Sequence, residues 1–264
     1  MKEYSMTSVA PTVSNILGIR KPAQSQEEII EEITGDMTDE SKIALVVVDA
    51  FGVSTWKRFR DFTPNFNLIV HQHLLHIRSV LPAKTPVNFA TMVTGAPSDV
   101  HAIRDRTQPL EVETLFHVLS EPGMKSAAVG RESSTVGVLL SKFADYKCIA
   151  STNTDEELLS MGIEMVKEEN PEFMIMQLLD IDETGHKFGL KGPQIEKAVA
   201  DVDRHLGELM PVLAEMGYGL IILADHGAHQ VDKMATHDGS VDDDLIVPCG
   251  WRNNVYLRNI YDID

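Results

Sequence analysis

The sequence predicts an α/β fold, a three-layer α/β/α sandwich whose central sheet is mostly parallel. Several runs of aliphatic, mostly β-branched residues have the composition of strands that are buried on both faces. Segments with helical periodicity lie between these runs, so strands and helices alternate along the chain. Acidic residues and histidines follow the ends of the runs, and the carboxyl ends of parallel strands meet at one edge of a sheet.

Length and composition bound the domain organisation. The 264 residues, 43% of them hydrophobic, suffice for one large domain with a substantial core. We expect a single domain over residues 1–264, with an N-terminal segment at 1–22, a polar connector at 23–41 and the main body at 42–264. The formal net charge of −17 argues against non-specific nucleic-acid binding and against association with anionic membranes. We also expect a cytoplasmic protein, because the sequence shows no apolar leader and its two cysteines fit no disulfide or ligand pattern.

The N-terminal region predicts two short helices. Residues 8–19 can form a helix in which Ser8 caps the first turn, Pro11 lies within that turn and Gly18 ends it. The connector is rich in acidic and hydroxyl side chains, and residues 27–33 within it could form one amphipathic helix.

The main body predicts alternating strands and helices. Five buried strands are predicted, at residues 43–48, 74–80, 126–129, 173–179 and 219–223. Four helices are predicted, from about Val87 and at residues 114–120, 156–168 and 194–216. Pro211 lacks a backbone N–H, so we expect the last helix to kink there or to restart after Met210.

Side chains that can bind metal ions follow these strands. Asp49 comes directly after the first strand, and Asp225 and His226 come directly after the last one. Asp182 and His186 follow the strand at 173–179, where we expect them to lie around a turn. Carboxylates and imidazoles are ligands of divalent transition metals. With Thr85 and His237 the set predicts a two-metal hydrolase.

The loop at residues 82–95 predicts a nucleophile. Thr85 lies just before an apolar helix, where backbone N–H groups and the helix dipole favour an anion such as a phosphoryl group. Coordination to a dication would lower the pKa of the Thr85 hydroxyl and make it nucleophilic. Lys84 and Asn88 could contact the phosphoryl oxygens, although Lys84 could instead face solvent and Asn88 could instead cap the helix.

Taken in order, these motifs resemble the alkaline phosphatase superfamily over residues 42–248, and most closely its nucleotide pyrophosphatase/phosphodiesterase (type I phosphodiesterase) branch. The matching motifs are K-T-x-x-N at 84–88, T-G at 94–95, H-x-I at 101–103, D-x-x-G-H at 182–186, D-H-G at 225–227 and the late His237. The resemblance implies a catalytic core at 42–264 without a large cap domain. It implies that one metal ion is bound by Asp182, His186 and His237, and the other by Asp49, Thr85, Asp225 and His226.

The same resemblance implies the chemistry. Thr85 would attack phosphorus in line, and the resulting phosphothreonine would then be hydrolysed. The metal ions would be two Zn²⁺, with Mn²⁺ as an alternative, because both tolerate mixed His and Asp ligands. The substrate would be a small phosphoester or nucleotide containing a diester or pyrophosphate bond.

Two departures from the branch keep alternatives open. Residues 104–106 read Arg-Asp-Arg where the branch usually has Asn, and Arg106 could bind two phosphoryl oxygens of a dianionic monoester. The alternatives are therefore a phosphomonoesterase or phosphonate hydrolase, a phosphomutase, or a non-catalytic metal-binding homologue. In addition, residues 8–19 resemble an element that superfamily members carry near their C-terminal end, which suggests a rearranged order with the same packing.

Overall fold

A computed structural model describes residues 2–26 and 29–263 and contains a large central sheet. The strands are β1 Glu3–Ser5, β2 Ile43–Val48, β3 Leu74–Arg78, β4 Ser126–Arg131, β5 Tyr146–Ala150, β6 Phe173–Leu178, β7 Gly219–Leu223, β8 His229–Val231, β9 Met234–Thr236 and β10 Ile246–Arg252. Eight of them form one sheet in the order β1-β3-β10-β7-β2-β6-β4-β5, while β8 and β9 form a separate hairpin. Only β10 runs antiparallel to its neighbours, so the prediction of a mostly parallel sheet is confirmed.

Helices cover both faces of this sheet. They are α1 Val9–Ile16, α2 Glu31–Asp36, α3 Val53–Arg58, α4 Pro64–Val70, α5 Thr85–Thr94, α6 Ser98–His101, α7 Leu115–Ser120, α8 Asp155–Glu169, α9 Asp180–Phe188, α10 Pro193–Met216, α11 Asp242–Leu245 and α12 Asn254–Ile260. Helices α4, α8, α9 and α12 pack against α10 in one layer, and α1, α6 and α7 pack around α5 in another. The predicted three-layer α/β/α sandwich is therefore confirmed.

The three central strands determine where the polar residues that follow them leave the sheet. Every residue of β2, β6 and β7 is buried, as expected for central strands of a sheet that helices cover on both faces. Val48 of β2 lies in register with Leu178 of β6, and Val47 lies in register with Leu223 of β7. The residues that follow these strands therefore leave the sheet side by side at one edge.

Strands β1, β5 and β10 and the β8–β9 hairpin were absent from the sequence prediction. Strand β10 contains Pro248 and Gly250, which disfavour assignment to a sheet interior. Pro248 pairs in register with His76 of β3, whereas the register with β7 begins at Cys249. This proline therefore lies in the part of β10 that pairs with β3 but not with β7.

Several predicted helix boundaries need correction. Asp182 and His186 lie within helix α9, not around a turn. Helix α10 continues through Pro211, so of the two predicted outcomes, a kink or a restart after Met210, the restart is wrong. Helix α5 begins at Thr85 rather than at Val87. For the helix predicted at 27–33, residues 27 and 28 lie outside the described residues, and helix α2 begins only at Glu31.

The N-terminal segment belongs to the core. Strand β1 pairs in parallel with β3, and α1 packs against α5. Both cysteines, Cys148 and Cys249, are buried free thiols, as predicted. Across residues 2–26 and 29–263, no helix has both the length and the apolar character needed to cross a membrane.

Candidate metal centre

One cluster of candidate ligands lies at the ends of β2 and β7. Asp49 follows β2, and Asp225 and His226 follow β7, and all three side chains are fully buried. His226 Nε2 lies 3.5 Å from Asp49 Oδ1 and 3.3 Å from Asp225 Oδ2. The backbones approach closely behind the cluster, since a Cβ on Gly52 would lie 2.7 Å from the Gly227 Cα. The three donor atoms therefore converge on one small volume.

The two carboxylates of this cluster are incompletely satisfied. Asp49 Oδ2 accepts a hydrogen bond from Gln177 Nε2 at 2.7 Å, and Asp225 Oδ1 accepts one from the Ala50 N–H at 3.3 Å. Asp49 Oδ1 and Asp225 Oδ2 are buried without a hydrogen-bond partner among the described residues. Leaving buried charged oxygens unpaired is costly. These are the two oxygens that face His226 Nε2, so a cation bound there would satisfy both.

Burial also shifts the pKa values in this cluster. It raises the pKa of Asp225 to about 6, and burial together with the charges of Asp225 and Asp182 raises the pKa of Asp49 well above its ordinary value. Burial lowers the pKa of His226 to about 3. Without a cation the pocket thus disfavours its own charges, and a divalent ion would compensate the negative ones.

A second cluster contains Asp182, His186 and His237. Asp182 and His186 lie one turn apart on the same face of α9, with Asp182 Oδ1 at 3.3 Å from His186 Nε2. His237 follows β9, and its Nε2 lies 3.7 Å from the same carboxylate oxygen. The donor atoms of each of the two clusters lie within 4.8 Å of one another.

The histidine rings of the second cluster are oriented for metal binding. His186 Nδ1 donates to the Ala235 carbonyl at 3.1 Å, and His237 Nδ1 donates to the Ala83 carbonyl at 2.8 Å. The two Nε2 atoms are then both hydrogen-bond acceptors, and they face each other at 3.0 Å. Two lone pairs at this separation repel each other unless a cation or proton lies between them.

Thr85 joins the two clusters. Its Oγ1 lies 3.1 Å from His226 Nε2 at the first turn of α5. The rings of His226 and His237 stack with their centroids 3.8 Å apart, so the clusters adjoin each other beside the hydroxyl. All seven side chains predicted as metal ligands are thus brought together at one edge of the sheet.

A cavity of about 490 Å³ opens over this arrangement. Asp49, Thr85, Asp182, His186 and His237 line it. Three cationic side chains also line it, namely Lys84, Arg104 and Arg106. Lys84 and Arg106, for which a phosphoryl contact was predicted, therefore line the same cavity as Thr85.

Asn88 occupies a different place from the one expected. Its side chain is fully buried and is not among the residues that line the cavity. The Val80 N–H donates to its Oδ1 at 2.8 Å, and its Nδ2 donates to the Lys84 carbonyl at 3.3 Å. This geometry gives Asn88 a structural role, which is to hold the loop before α5 against the helix.

Gln177 is a site residue that sequence analysis missed. It lies in β6, fully buried, and its amide donates to Asp49 while accepting from the Val136 N–H at 3.0 Å. A glutamine within an otherwise aliphatic buried strand was the available signal, because buried amides need specific partners. Ser79 was missed as well, and its hydroxyl donates to the Asp225 carbonyl at 2.6 Å.

Comparisons with known proteins identify a family whose model matches most of the chain. The family model described as type I phosphodiesterase / nucleotide pyrophosphatase matches residues 43–117 and 135–253. Venom phosphodiesterase of Naja atra is 28% identical over 223 residues, which cover 73% of this chain and 27% of that protein. The chain thus spans about a quarter of the length of the curated venom phosphodiesterases that it matches.

Solved structures show the same fold. Murine ectonucleotide pyrophosphatase/phosphodiesterase 5 has a TM-score of 0.60 at 22% identity, covering 73% of this chain and 58% of that one. An inactive variant of that murine protein has been solved in complex with AMP. Phosphonoacetate hydrolase from Sinorhizobium meliloti, in complex with phosphonoacetate, has a TM-score of 0.58 at 20% identity, covering 72% of this chain and 58% of that one.

Proposed function

Because the chain belongs to the type I phosphodiesterase / nucleotide pyrophosphatase family of the alkaline phosphatase superfamily, we propose that it is a two-metal phosphoric-ester hydrolase. Its substrate is a small molecule with a phosphodiester or phosphoanhydride bond. The observation that carries the proposal is the position of Thr85 Oγ1, which lies 3.1 Å from His226 Nε2 where the two ligand clusters adjoin.

The donor chemistry of the site fits a pair of divalent ions. Asp182, His186 and His237 would bind one ion, and Asp49, Asp225, His226 and the Thr85 oxygen would bind the other. The unpaired carboxylate oxygens of Asp49 and Asp225 support this assignment, because a bound cation would be the partner that these buried oxygens lack. Mixed imidazole and carboxylate ligation suits Zn²⁺ and tolerates Mn²⁺. When bound, such ions lower the pKa of a coordinated hydroxyl and stabilise charge on phosphoryl oxygens.

The chain's own residues perform the displacement. Thr85 Oγ attacks phosphorus, the bond to the leaving oxygen breaks, and water then hydrolyses the phosphothreonine to release Thr85. The N-terminus of α5 favours the negative charge of the phosphoryl group. Gln177 holds Asp49, while backbone carbonyls hold the three imidazoles in the tautomer that leaves each Nε2 free.

The cavity wall favours a second candidate within the same chemistry. Lys84, Arg104 and Arg106 could neutralise a dianionic group, as in a phosphomonoester or a phosphonate. The AMP complex of the murine neighbour supports a nucleotide substrate, and the phosphonoacetate complex of the bacterial neighbour supports the alternative. A diester or pyrophosphate remains our first proposal because of the family to which the chain belongs.

Turnover of two chromogenic esters tests the proposal. We expect the chain with added Zn²⁺ or Mn²⁺ to cleave bis-p-nitrophenyl phosphate faster than p-nitrophenyl phosphate. Thr85→Ala should lower turnover by about three orders of magnitude or more, as loss of a catalytic nucleophile does elsewhere. Thr85→Ser, which keeps the hydroxyl, should retain measurable activity. Full activity in Thr85→Ala would refute the assignment of the nucleophile.

A further inference from the structure

Arg131 is a buried cation beside the candidate metal centre but outside its cavity. It ends β4, is 1% exposed and contacts three carboxylates. Its Nη2 contacts Asp155 Oδ1 at 2.5 Å and also donates to Asp180, while its Nη1 donates to Glu183 Oε2 at 3.0 Å. A guanidinium can bridge several carboxylates at once because its donors point in fixed, divergent directions.

Two of these carboxylates also join the starts of two helices. Asp155, the first residue of α8, accepts hydrogen bonds from the Leu179 and Asp180 N–H groups at 3.1 Å and 2.8 Å. Asp180, the first residue of α9, accepts one from the Asp155 N–H at 3.2 Å. Each carboxylate therefore satisfies backbone donors at the N-terminus of the other helix. Arg131 bridges the pair.

Helix α9 packs against α10 and β9 but buries few of its own side chains. Only Ile181 and Gly185 of its nine residues are buried. Asp182 and His186, the candidate ligands, lie on the same helix, and the Asp155–Asp180 contacts lie at the residues directly before Asp182. A shift of the helix N-terminus would therefore move both donor atoms relative to His237.

We propose that Arg131, Asp155 and Asp180 form a positioning cluster that fixes α9 and so places Asp182 and His186 for metal binding. This inference rests on the proposed function, because it assumes that these side chains bind a metal ion. The cluster contacts neither substrate nor metal and acts through the helix alone. Its loss should weaken one metal site and spare the other, whose ligands follow β2 and β7.

Zinc affinities of the metal-free 264-residue chain test the inference. They are measured by competition with a chelating indicator in Arg131→Lys, which keeps the charge but loses the bridging geometry, and in Asp180→Asn. His186→Ala identifies which affinity belongs to the Asp182–His186–His237 site. The matched control is Asp203→Asn, since Asp203 is a buried carboxylate that accepts from the Asn65 and Phe66 N–H groups at the start of α4.

We expect the zinc affinity of the site that contains His186 to fall about tenfold to a hundredfold in Arg131→Lys and in Asp180→Asn. This range is typical of residues that orient metal ligands. The other affinity should stay unchanged, and Asp203→Asn should keep both even if it lowers the melting temperature. If Arg131→Lys does not fold, the zinc affinities of Asp180→Asn test the inference. The Asp180 side chain is partly exposed, so we expect this variant to fold.

Two results would contradict the inference in distinguishable ways. Parental affinities at both sites in folded Asp180→Asn would overturn the positioning role and leave the proposed function intact. Zinc binding unaffected by His186→Ala would overturn the proposed function and this inference together.

Discussion

At the scale of single residues, the centre is defined by atoms that lack partners. Asp49 Oδ1 and Asp225 Oδ2 are buried and unpaired, while the second oxygen of each carboxylate is held by a hydrogen bond. The protein thus fixes the orientation of each ligand and leaves one oxygen free. A carboxylate that binds a metal ion needs one oxygen free for the ion and a supporting partner that orients the group.

Gln177 is the supporting residue whose replacement is most informative. Gln177→Met removes the hydrogen bond to Asp49 and leaves the Val136 N–H unpaired. We expect the free energy of unfolding of the metal-free protein to fall by about 1–3 kcal/mol. Zinc affinity should fall about tenfold to a hundredfold. Chemical denaturation and zinc titration measure the two effects.

Gln194→Met is the matched control for this substitution, because Gln194 is exposed at the start of α10. It should change neither quantity. Unchanged zinc affinity in Gln177→Met would show that Asp49 needs no support from this amide.

Replacing Arg106 tests whether the site prefers a monoester or a diester. If Arg106 binds a dianionic phosphoryl group, Arg106→Ala should lower kcat/KM for p-nitrophenyl phosphate about tenfold to a hundredfold, the worth of a hydrogen bond to a charged group. The value for bis-p-nitrophenyl phosphate should change less. Arg60→Ala serves as the control, since Arg60 lies against Trp56 and does not line the cavity. Equal losses for both esters would exclude selective recognition of the dianion by Arg106.

The sequence predicted that the candidate ligands lie close together because their type and position were both informative. Asp49 and the Asp225–His226 pair directly follow aliphatic strands, so parallel pairing alone predicts that they meet. For Asn88 the sequence left a phosphoryl contact and a helix cap open but did not predict the observed hydrogen bonds, because these depend on how residues 80–84 fold back onto α5. Local sequence does not encode such a loop conformation.

At the scale of elements, α9 shows how a helix can replace an expected turn. The segment at 180–188 has few apolar residues, so its helical character was hidden from an analysis of hydrophobic periodicity. Its helical conformation is supported by hydrogen bonds at its N-terminus and by packing against α10. Both are tertiary contacts, which explains why the sequence alone predicted a turn.

The N-terminal segment makes a testable contribution to stability. It places six hydrophobic residues in the core: Met6, Val9, Ala10, Val13, Ile16 and Leu17. Each large apolar side chain contributes about 1.5–3 kcal/mol when buried, so the sum is comparable to the 5–15 kcal/mol stability typical of a domain. We expect a chain that begins at residue 23 to lose cooperative unfolding, as measured by circular dichroism on heating.

A peptide of residues 1–22, added in trans, should partly restore the transition in this truncated chain. An unchanged melting curve in the truncated chain without the peptide would show that the segment is dispensable.

At the scale of the whole molecule, the cavity of an acidic protein carries charges of both signs. The formal charge of the chain is −17, and three cationic side chains line the cavity together with four aspartates. Two dications would add about four positive charges at the same place. The fold class followed from the alternation of strands and helices, whereas β10 was missed because Pro248 and Gly250 obscured it.

Metal removal should destabilise the entire fold, because binding to the native state alone stabilises it. At a free zinc concentration of about one hundred times Kd, each site contributes about 2.7 kcal/mol. For a domain of this size, we expect a rise in melting temperature of about 5–10 °C per site relative to the chain with EDTA. Scanning calorimetry measures the rise, and the double variant His186→Ala/His226→Ala should show none. Equal melting temperatures with and without zinc in the unaltered chain would contradict the two-site account.

The most direct measurement is anomalous diffraction at the zinc edge from crystals grown with Zn²⁺. We expect two anomalous peaks, one enclosed by Asp182, His186 and His237, and the other by Asp49, Asp225 and His226 in contact with the Thr85 oxygen. A catalytically active crystal with no peak at either place, or with Thr85 far from both, would contradict it.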